Sequence, residues 1–163
     1  ISTRDWSSDV CSSDLAAREA ALDDFARRFG ADPLVLDKWF SLQASIPEHH
    51  TLDRVKELMG HSGFSKSNPN RLRALVGSFA MANPSQFHRA DGAGHEFVAG
   101  IVIETDKANP QVAARLLGAF KSWRSLESKR RAFAKKALEQ IAAQENLSTD
   151  VADIVTRSLA AES

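Results

Sequence analysis

The sequence has little of what marks most secreted or membrane proteins. Its 163 residues include one cysteine, Cys11, so an intrachain disulfide framework is excluded and we expect a reducing, cytoplasmic setting. No apolar run approaches the roughly 20 residues that a membrane-spanning helix needs, and no secretory signal pattern is visible, so we expect no membrane partner. Formal net charge is zero, and the hydrophobic content of 43% is typical of a globular chain with a substantial core.

Motifs for catalysis and cofactor binding are absent or incomplete. The sequence contains no G-x-S-x-G, P-loop or dinucleotide fingerprint. His95 and Glu96 begin like the zinc motif HExxH, but Ala99 stands where the second histidine would be, so we expect an ordinary surface pair. The other histidines have no partner at metal-ligand spacing: His49, His50, His61 and His88. The residues alone therefore indicate a helical scaffold without a catalytic or metal centre.

Residues 1–15 differ in character from the rest of the chain. This segment is rich in serine, shows neither a helical nor a strand period, and contains the only cysteine. The stretch RDWSSDVCSSDL, residues 4–15, resembles translated sequencing-adapter read-through. We therefore expect residues 1–15 to be a non-native leader, with a naturally disordered N-terminus as the alternative, and residues 16–163 to form the domain.

Hydrophobic periodicity predicts an all-α fold with short connections. Apolar residues recur at helical spacing between proline, glycine and asparagine breaks, and no pair of strands is evident. Residues 95–105 could form a strand by composition, but their length and isolation favour a helix. The expected helices cover residues 16–29, 33–46, 51–59, 69–81, 84–87, 95–105, 110–123, 128–144 and 148–159.

The helix expected over residues 69–81 has the clearest start. Asn68 is a suitable N-cap, because its side-chain oxygen can accept a free backbone N–H of the first turn. Pro69 occupies the first helical position, where its missing N–H is not needed. The inward face carries Leu72, Leu75, Val76 and Phe79. Arg73 lies off this face beside the small residues Gly77 and Ala80, where a long cation has room to reach a groove.

The same pattern returns 41 residues later, from Asn68 to Asn109. Asn109-Pro110 repeats the helix start, and the equivalent pairs that follow are Leu75/Leu116, Val76/Leu117, Gly77/Gly118 and Phe79/Phe120. This spacing is typical of HEAT and armadillo repeats, so we expect a superhelical stack of antiparallel helix pairs with a concave surface. Arg73 and Arg115, offset by one residue in the repeat, are candidates to face that surface. Two solvated or salt-bridged arginines are the alternative.

A short basic run, residues 129–131 with 135–136, could contact phosphate groups. Glu127, Glu139 and Glu145 flank it, which weakens the attraction to a polyanion. We therefore interpret the run as a solvated helix face and predict no nucleic-acid partner.

Six separate blocks resemble the C-terminal helical domain of bacterial aminopeptidase N, the alanyl aminopeptidase of the gluzincin class of zinc metallopeptidases. The blocks are LVLDKWF (34–40), FSKSNPNR (64–71), NPSQFH (83–88), DGAG (91–94), NPQVAARL (109–116) and ENLS (145–148). Their order and spacing make the resemblance more specific than any single motif. It covers about residues 20–160, which is most of the chain.

The resemblance implies a role within a larger enzyme. Members of this family are multidomain zinc enzymes that remove N-terminal residues from peptides, and their zinc ligands lie in an upstream catalytic domain, which this sequence does not contain. Their helical domain caps the catalytic domain and encloses the substrate chamber. In this family, arginines at the positions matching Arg73 and Arg115 face that chamber. The resemblance thus implies two substrate-channel residues, Arg73 and Arg115, but no catalytic or zinc ligand. It also implies peptide and the catalytic domain as partners, and a domain truncated at its N-terminal side.

Three functional hypotheses are weighed on the sequence, of which nucleic-acid binding through residues 129–136 is the least favoured. The first is a fragment of a cytosolic aminopeptidase N that is inert alone and shapes substrate access in the whole enzyme. The second is a free-standing HEAT-like module that binds a partner protein on its concave face. An in-frame HExxH region upstream of the chain would favour the first, and a stop codon with a ribosome-binding site there would favour the second.

Overall fold

The computed structural model describes the backbone of residues 6–160 and the side chains of residues 16–160. Within these residues every regular element is helical, which confirms the all-α prediction. The α-helices are α1 (Trp6–Phe29), α2 (Pro33–Ser45), α3 (Thr51–Leu58), α4 (Pro69–Leu72), α5 (Ser78–Ala82), α6 (Pro84–Phe87), α7 (Ala93–Asp106), α8 (Pro110–Leu117), α9 (Ser128–Ala142) and α10 (Thr149–Ala160). A π turn, Arg73–Gly77, joins α4 to α5, and 3-10 turns cover Gly118–Phe120 and Trp123–Ser125.

The chain divides into two compact units after Trp39. In the first unit, the Trp39 indole Nε1 donates a hydrogen bond to the carbonyl of Leu22 at 2.9 Å, which ties α2 to α1. Asp32 caps α2 by accepting the N–H of Leu34 at 2.8 Å. The helical backbone of α1 begins at Trp6 rather than at the predicted residue 16, because residues 6–29 contain no proline or glycine to interrupt a helix.

The predicted leader lies largely outside the described residues. Residues 1–5 are not described at all, and of residues 6–15 only the backbone is. The division into a leader and a domain therefore stays a prediction.

In the second unit, α7 packs against α6, α8 and α9, and α10 packs against α8 and α9. The segment that composition allowed as a strand is the helix α7, with Val98, Ala99 and Val102 fully buried. Asp106 at the end of α7 accepts the N–H and the hydroxyl of Ser148 at 2.8 and 2.5 Å, which joins α7 to the start of α10. Helices that each pack on their neighbours in this way form the expected repeat stack.

Two predicted helices are interrupted. The helix expected over residues 69–81 contains the π turn, in which the N–H of Ser78 donates to the carbonyl of Arg73. The helix expected over residues 110–123 ends at Leu117, because the chain tightens into a 3-10 turn at Gly118, a residue of low helix propensity. The sequence predicts the start of both helices but not these changes of pitch.

Candidate functional site

Asparagine caps start both repeated helices, as the sequence predicts. Oδ1 of Asn68 accepts the N–H of Asn70 at 2.9 Å, and Oδ1 of Asn109 accepts the N–H of Val112 at 3.2 Å. Each cap is followed by a proline in the first turn. Both helices therefore begin with an asparagine cap and a proline in the first turn.

The equivalent apolar residues of the two copies are buried. They are Leu75 and Leu116, Val76 and Leu117, and Phe79 and Phe120. Helix α8 packs on the π turn, and the 3-10 turn Gly118–Phe120 packs on α5. The two repeats therefore bury their apolar faces against each other, which leaves their polar flanks side by side.

Arg73 is the first residue of the π turn, and its side chain is exposed. Its Nη2 donates a hydrogen bond to Oδ1 of Asn70, one turn earlier. Its stem lies over Gly77: a β-carbon at Gly77 would be 3.8 Å from Cβ of Arg73 and 3.9 Å from Cδ2 of Leu116. A β-carbon at position 77 would thus be in ordinary van der Waals contact with both the arginine stem and α8.

Arg115 is exposed in the last turn of α8. Gly118 follows it by three residues, and residues three apart on a helix are neighbours. The methyl group of Met81, at the end of α5, is 3.7 Å from the position that a β-carbon at Gly118 would take. Met81 therefore contacts the second repeat, and 55% of its surface is still exposed to solvent.

Neither arginine is neutralised within the described part of the chain. Arginines elsewhere pair with acids, in Arg54–Glu57, Arg89–Asp91, Arg130–Glu127 and Arg157–Asp153. Among residues 16–160, by contrast, no carboxylate lies within ion-pair distance of Arg73 or Arg115. Exposed guanidinium groups without an acid partner are suited to a carboxylate that a ligand supplies. Their assignment to a substrate channel stays a prediction.

A pair of histidines, the half-buried His88 and the fully buried His95, joins the end of α6 to α7. Nδ1 of His88 and Nε2 of His95 are 2.9 Å apart. His95 is fully buried, with its ring 4.9 Å from that of Phe87 and 5.9 Å from that of Phe120 between centroids, and its Nδ1 has no hydrogen-bond partner. We assign the shared proton to Nε2 of His95, because the opposite tautomer would bury an N–H with no acceptor.

The surroundings keep both rings neutral near pH 7. Burial lowers the pKa of His95 to about 4, and the neighbouring His88 adds to this shift. Burial also lowers the pKa of His88, with a further contribution from the guanidinium of Arg130, whose Nε donates to the His88 carbonyl at 2.7 Å. A neutral pair of this kind packs like an apolar group and holds two helices together.

The expectation that His95 and Glu96 form a surface pair is wrong for His95. Glu96 is exposed, but His95 lies about 100° round α7 and faces inward. His88, for which the sequence shows no partner at metal-ligand spacing, bonds to His95. The two are seven residues apart across a turn at Gly92, and no local motif marks that separation as a contact.

The remaining sequence candidates do not form a site. His49 and His50 are exposed neighbours with ring centroids 5.6 Å apart. Among the described residues, no group of three or more His, Cys, Asp or Glu side chains is placed to hold a metal ion. In the basic run, Arg130 forms an ion pair with Glu127 and donates a hydrogen bond to the backbone carbonyl of His88.

Among the described residues, no helix is both long enough and apolar enough to cross a membrane.

Comparison with known proteins gives one consistent result. The family described as "Domain of unknown function (DUF3458_C) ARM repeats" matches residues 8–160. Aminopeptidase N of Haemophilus influenzae is 41% identical over 145 residues, and that of Escherichia coli is 39% identical over 146; these matches cover 89% and 90% of this chain. The crystal structure of Legionella pneumophila aminopeptidase A in complex with aspartic acid superposes with a TM-score of 0.83 at 35% identity over 92% of the chain. The chain spans 17% of the length of each of these relatives.

Proposed function

We infer the function from one premise: this chain belongs to the DUF3458_C family of ARM-repeat domains, and it is similar to the C-terminal region of aminopeptidases. We propose that it is the C-terminal helical domain of an enzyme that removes N-terminal residues from peptides. In that enzyme the domain caps the catalytic domain and forms one wall of the chamber through which peptides reach it.

The observation that carries this proposal is the pair of exposed arginines. Arg73 in the π turn and Arg115 in α8 are exposed on two segments that pack together, and neither has a carboxylate partner among the described residues. A peptide whose amino end is held at the catalytic centre presents its carboxylate and its backbone carbonyls to the chamber wall. Guanidinium groups can bind both kinds of oxygen, and a carboxylate in a bidentate way.

The chemistry of peptide cleavage belongs to the rest of the enzyme. The resemblance implies that zinc and its ligands belong to an upstream catalytic domain, and the described side chains include no group of three or more His, Cys, Asp or Glu placed to hold a metal ion. We therefore propose the upstream catalytic domain and the peptide as partners of this domain. We also propose a cytoplasmic location, because the sequence contains a single cysteine.

The test compares a tripeptide, its C-terminal amide and a shorter arylamide. In the whole enzyme, Arg73→Ala and Arg115→Ala should each raise KM for Ala-Ala-Ala about tenfold, the low end of the range for a hydrogen bond to a charged group. KM for the C-terminal amide of the same peptide should rise less, because the amide carries no charge. KM for alanine p-nitroanilide should not change, because this substrate is too short to reach the wall.

Arg131→Ala is a matched control, since Arg131 is an exposed arginine of α9. It should leave all three KM values unchanged. Equal effects of Arg73→Ala on the peptide and on the arylamide would contradict a role in the channel, because they would show a general effect on the catalytic domain.

A further inference from the structure

We propose that Asn70 is a positioning residue for Arg73: its side-chain amide holds the guanidinium group in place without neutralising the positive charge. This inference rests on the proposed function, in which Arg73 binds the carboxylate or a backbone carbonyl of the peptide. It adds to that function a residue that acts through Arg73 and need not touch the peptide itself.

The start of α4 fixes the backbone of Asn70. Asn70 lies in the first turn, directly after Pro69, whose ring fixes its own φ angle. The N–H of Asn70 donates to Oδ1 of Asn68 at 2.9 Å. The next two residues, Arg71 and Leu72, are buried and anchor this turn in the fold. The side chain of Asn70 therefore projects from a backbone that is already held in place before a ligand binds.

One hydrogen bond joins the side chains of Asn70 and Arg73. Nη2 of Arg73 donates to Oδ1 of Asn70, three residues earlier, and residues three apart are neighbours on a helix. A guanidinium group has only donors, so the amide must turn its oxygen toward Arg73. Among residues 16–160 the Arg73 side chain makes no second hydrogen bond. Asn70 is thus the polar group that decides where this exposed guanidinium lies.

The partner of Arg73 is neutral, whereas the same spacing in α9 brings an acid to an arginine. Glu127 precedes Arg130 by three residues, and the two form an ion pair. A carboxylate in place of the Asn70 amide would also orient Arg73, but it would compete with the carboxylate of a ligand. The amide oxygen carries no net charge, so the guanidinium stays positive and its remaining N–H groups are available to a second acceptor.

The second repeat has the same two residue types without this contact. Gln111 is the counterpart of Asn70, 41 residues later, and it precedes Arg115 by four residues. Both side chains are exposed, and within the described part of the chain no hydrogen bond joins them. Gln111 is therefore a matched control, because it offers the same amide group but holds no guanidinium.

Orienting Arg73 in advance should favour peptide binding. A free arginine side chain loses rotamer freedom when it binds a ligand, and prior orientation removes part of that loss. In the whole enzyme, Asn70→Ala should therefore raise KM for Ala-Ala-Ala about threefold, which corresponds to about 0.7 kcal/mol. It should leave kcat unchanged, and also KM for alanine p-nitroanilide, because this substrate is too short to reach Arg73. Gln111→Ala should change neither KM.

Asn70→Asp distinguishes positioning from a purely structural role. It keeps the shape and the acceptor oxygen, and a negative charge in the first turn stabilises a helix, so the thermal unfolding temperature should not fall. The new carboxylate should pair with Arg73, so KM for Ala-Ala-Ala should rise toward the value of Arg73→Ala, and the difference between this peptide and its C-terminal amide should shrink. If Asn70 only stabilised the helix start, Asn70→Asp would leave KM unchanged.

The outcomes separate this inference from the proposed function. If Arg73→Ala raises KM for the peptide but Asn70→Ala and Asn70→Asp do not, positioning is refuted and the channel role stands. If Asn70→Ala raises KM by the same factor with and without Arg73→Ala, Asn70 acts independently of Arg73 and the inference is refuted. If Arg73→Ala itself leaves KM unchanged, the channel role fails and this inference fails with it. A rise of about threefold that vanishes in the Arg73→Ala background, together with the larger rise in Asn70→Asp, supports positioning.

Discussion

Lowering the pH from 7 to 4 should destabilise this chain through the histidine pair of α6 and α7. A proton added to His95 would have to go to Nδ1, which is buried among the rings of Phe87 and Phe120 and has no hydrogen-bond acceptor. The positive ring would then lie beside His88, which Arg130 already faces. The unfolded chain pays none of these costs, so it binds the proton more readily than the folded chain.

The size of the effect follows from the two pKa values. Burial lowers the pKa of His95 from 6.5 in the unfolded chain to about 4 in the folded one. Each pKa unit corresponds to about 1.4 kcal/mol, so the free energy of unfolding should fall by about 2 kcal/mol between pH 7 and pH 5, and by about 3 kcal/mol below pH 4. The stabilisation by the neutral His95 ring is complete above pH 6.5, and it is lost as the pH falls from 6.5 to about 4. The lowered pKa of His88 acts in the same direction.

Urea unfolding of the chain and of a His95→Gln variant, at several pH values from 7.5 to 4.5, measures this effect. The variant should be less stable at pH 7.5, where it loses well-packed contacts, but its stability should fall less steeply with acidification. His49→Gln, at an exposed histidine, should keep the full slope. Parallel slopes for the chain and His95→Gln would refute the reasoning, as would a ring titration of His95 near pH 6.5 in NMR spectra.

Two further predictions concern packing and activity. Gly94→Ala should destabilise the chain by about 1–3 kcal/mol in thermal unfolding, because its β-carbon would clash with the Phe87 carbonyl oxygen. Gly100→Ala, which meets nothing within 4 Å in the middle of α7, should instead stabilise it by up to about 1 kcal/mol; two changes of the same sign would contradict this. The purified chain with added zinc should not hydrolyse alanine p-nitroanilide. Hydrolysis that co-purifies with the chain would contradict the proposal that catalysis belongs to an upstream domain.

The helix starts could be predicted from the sequence because capping is local. Asn68 and Asn109 bond to N–H groups within three residues of themselves, so their chemistry is complete in a short segment. The 41-residue repeat was equally accessible, since it requires only the comparison of two such segments. The description of the matched family as ARM repeats confirms that interpretation.

The changes of pitch could not be predicted in this way. A π turn differs from an α-helix by one residue, and the apolar positions of residues 72–79 fit either pitch at this length. The one available signal was the offset between the arginines, four residues before Gly77 in one copy and three before Gly118 in the other. That offset gains a meaning only when the glycines are known to lie against α8 and Met81.

What the sequence determined by itself is therefore the set of helices, their caps and their repetition, because these depend on side chains acting on the backbone nearby. Only the tertiary structure decided that His95 is buried, since Phe120 reaches it from another helix and His88 from across a turn. Only the tertiary structure brought Met81 against the second repeat, where its methyl group is 3.7 Å from the position that a β-carbon at Gly118 would take. Packing between distant segments makes those contacts, and no local pattern specifies which segments will meet.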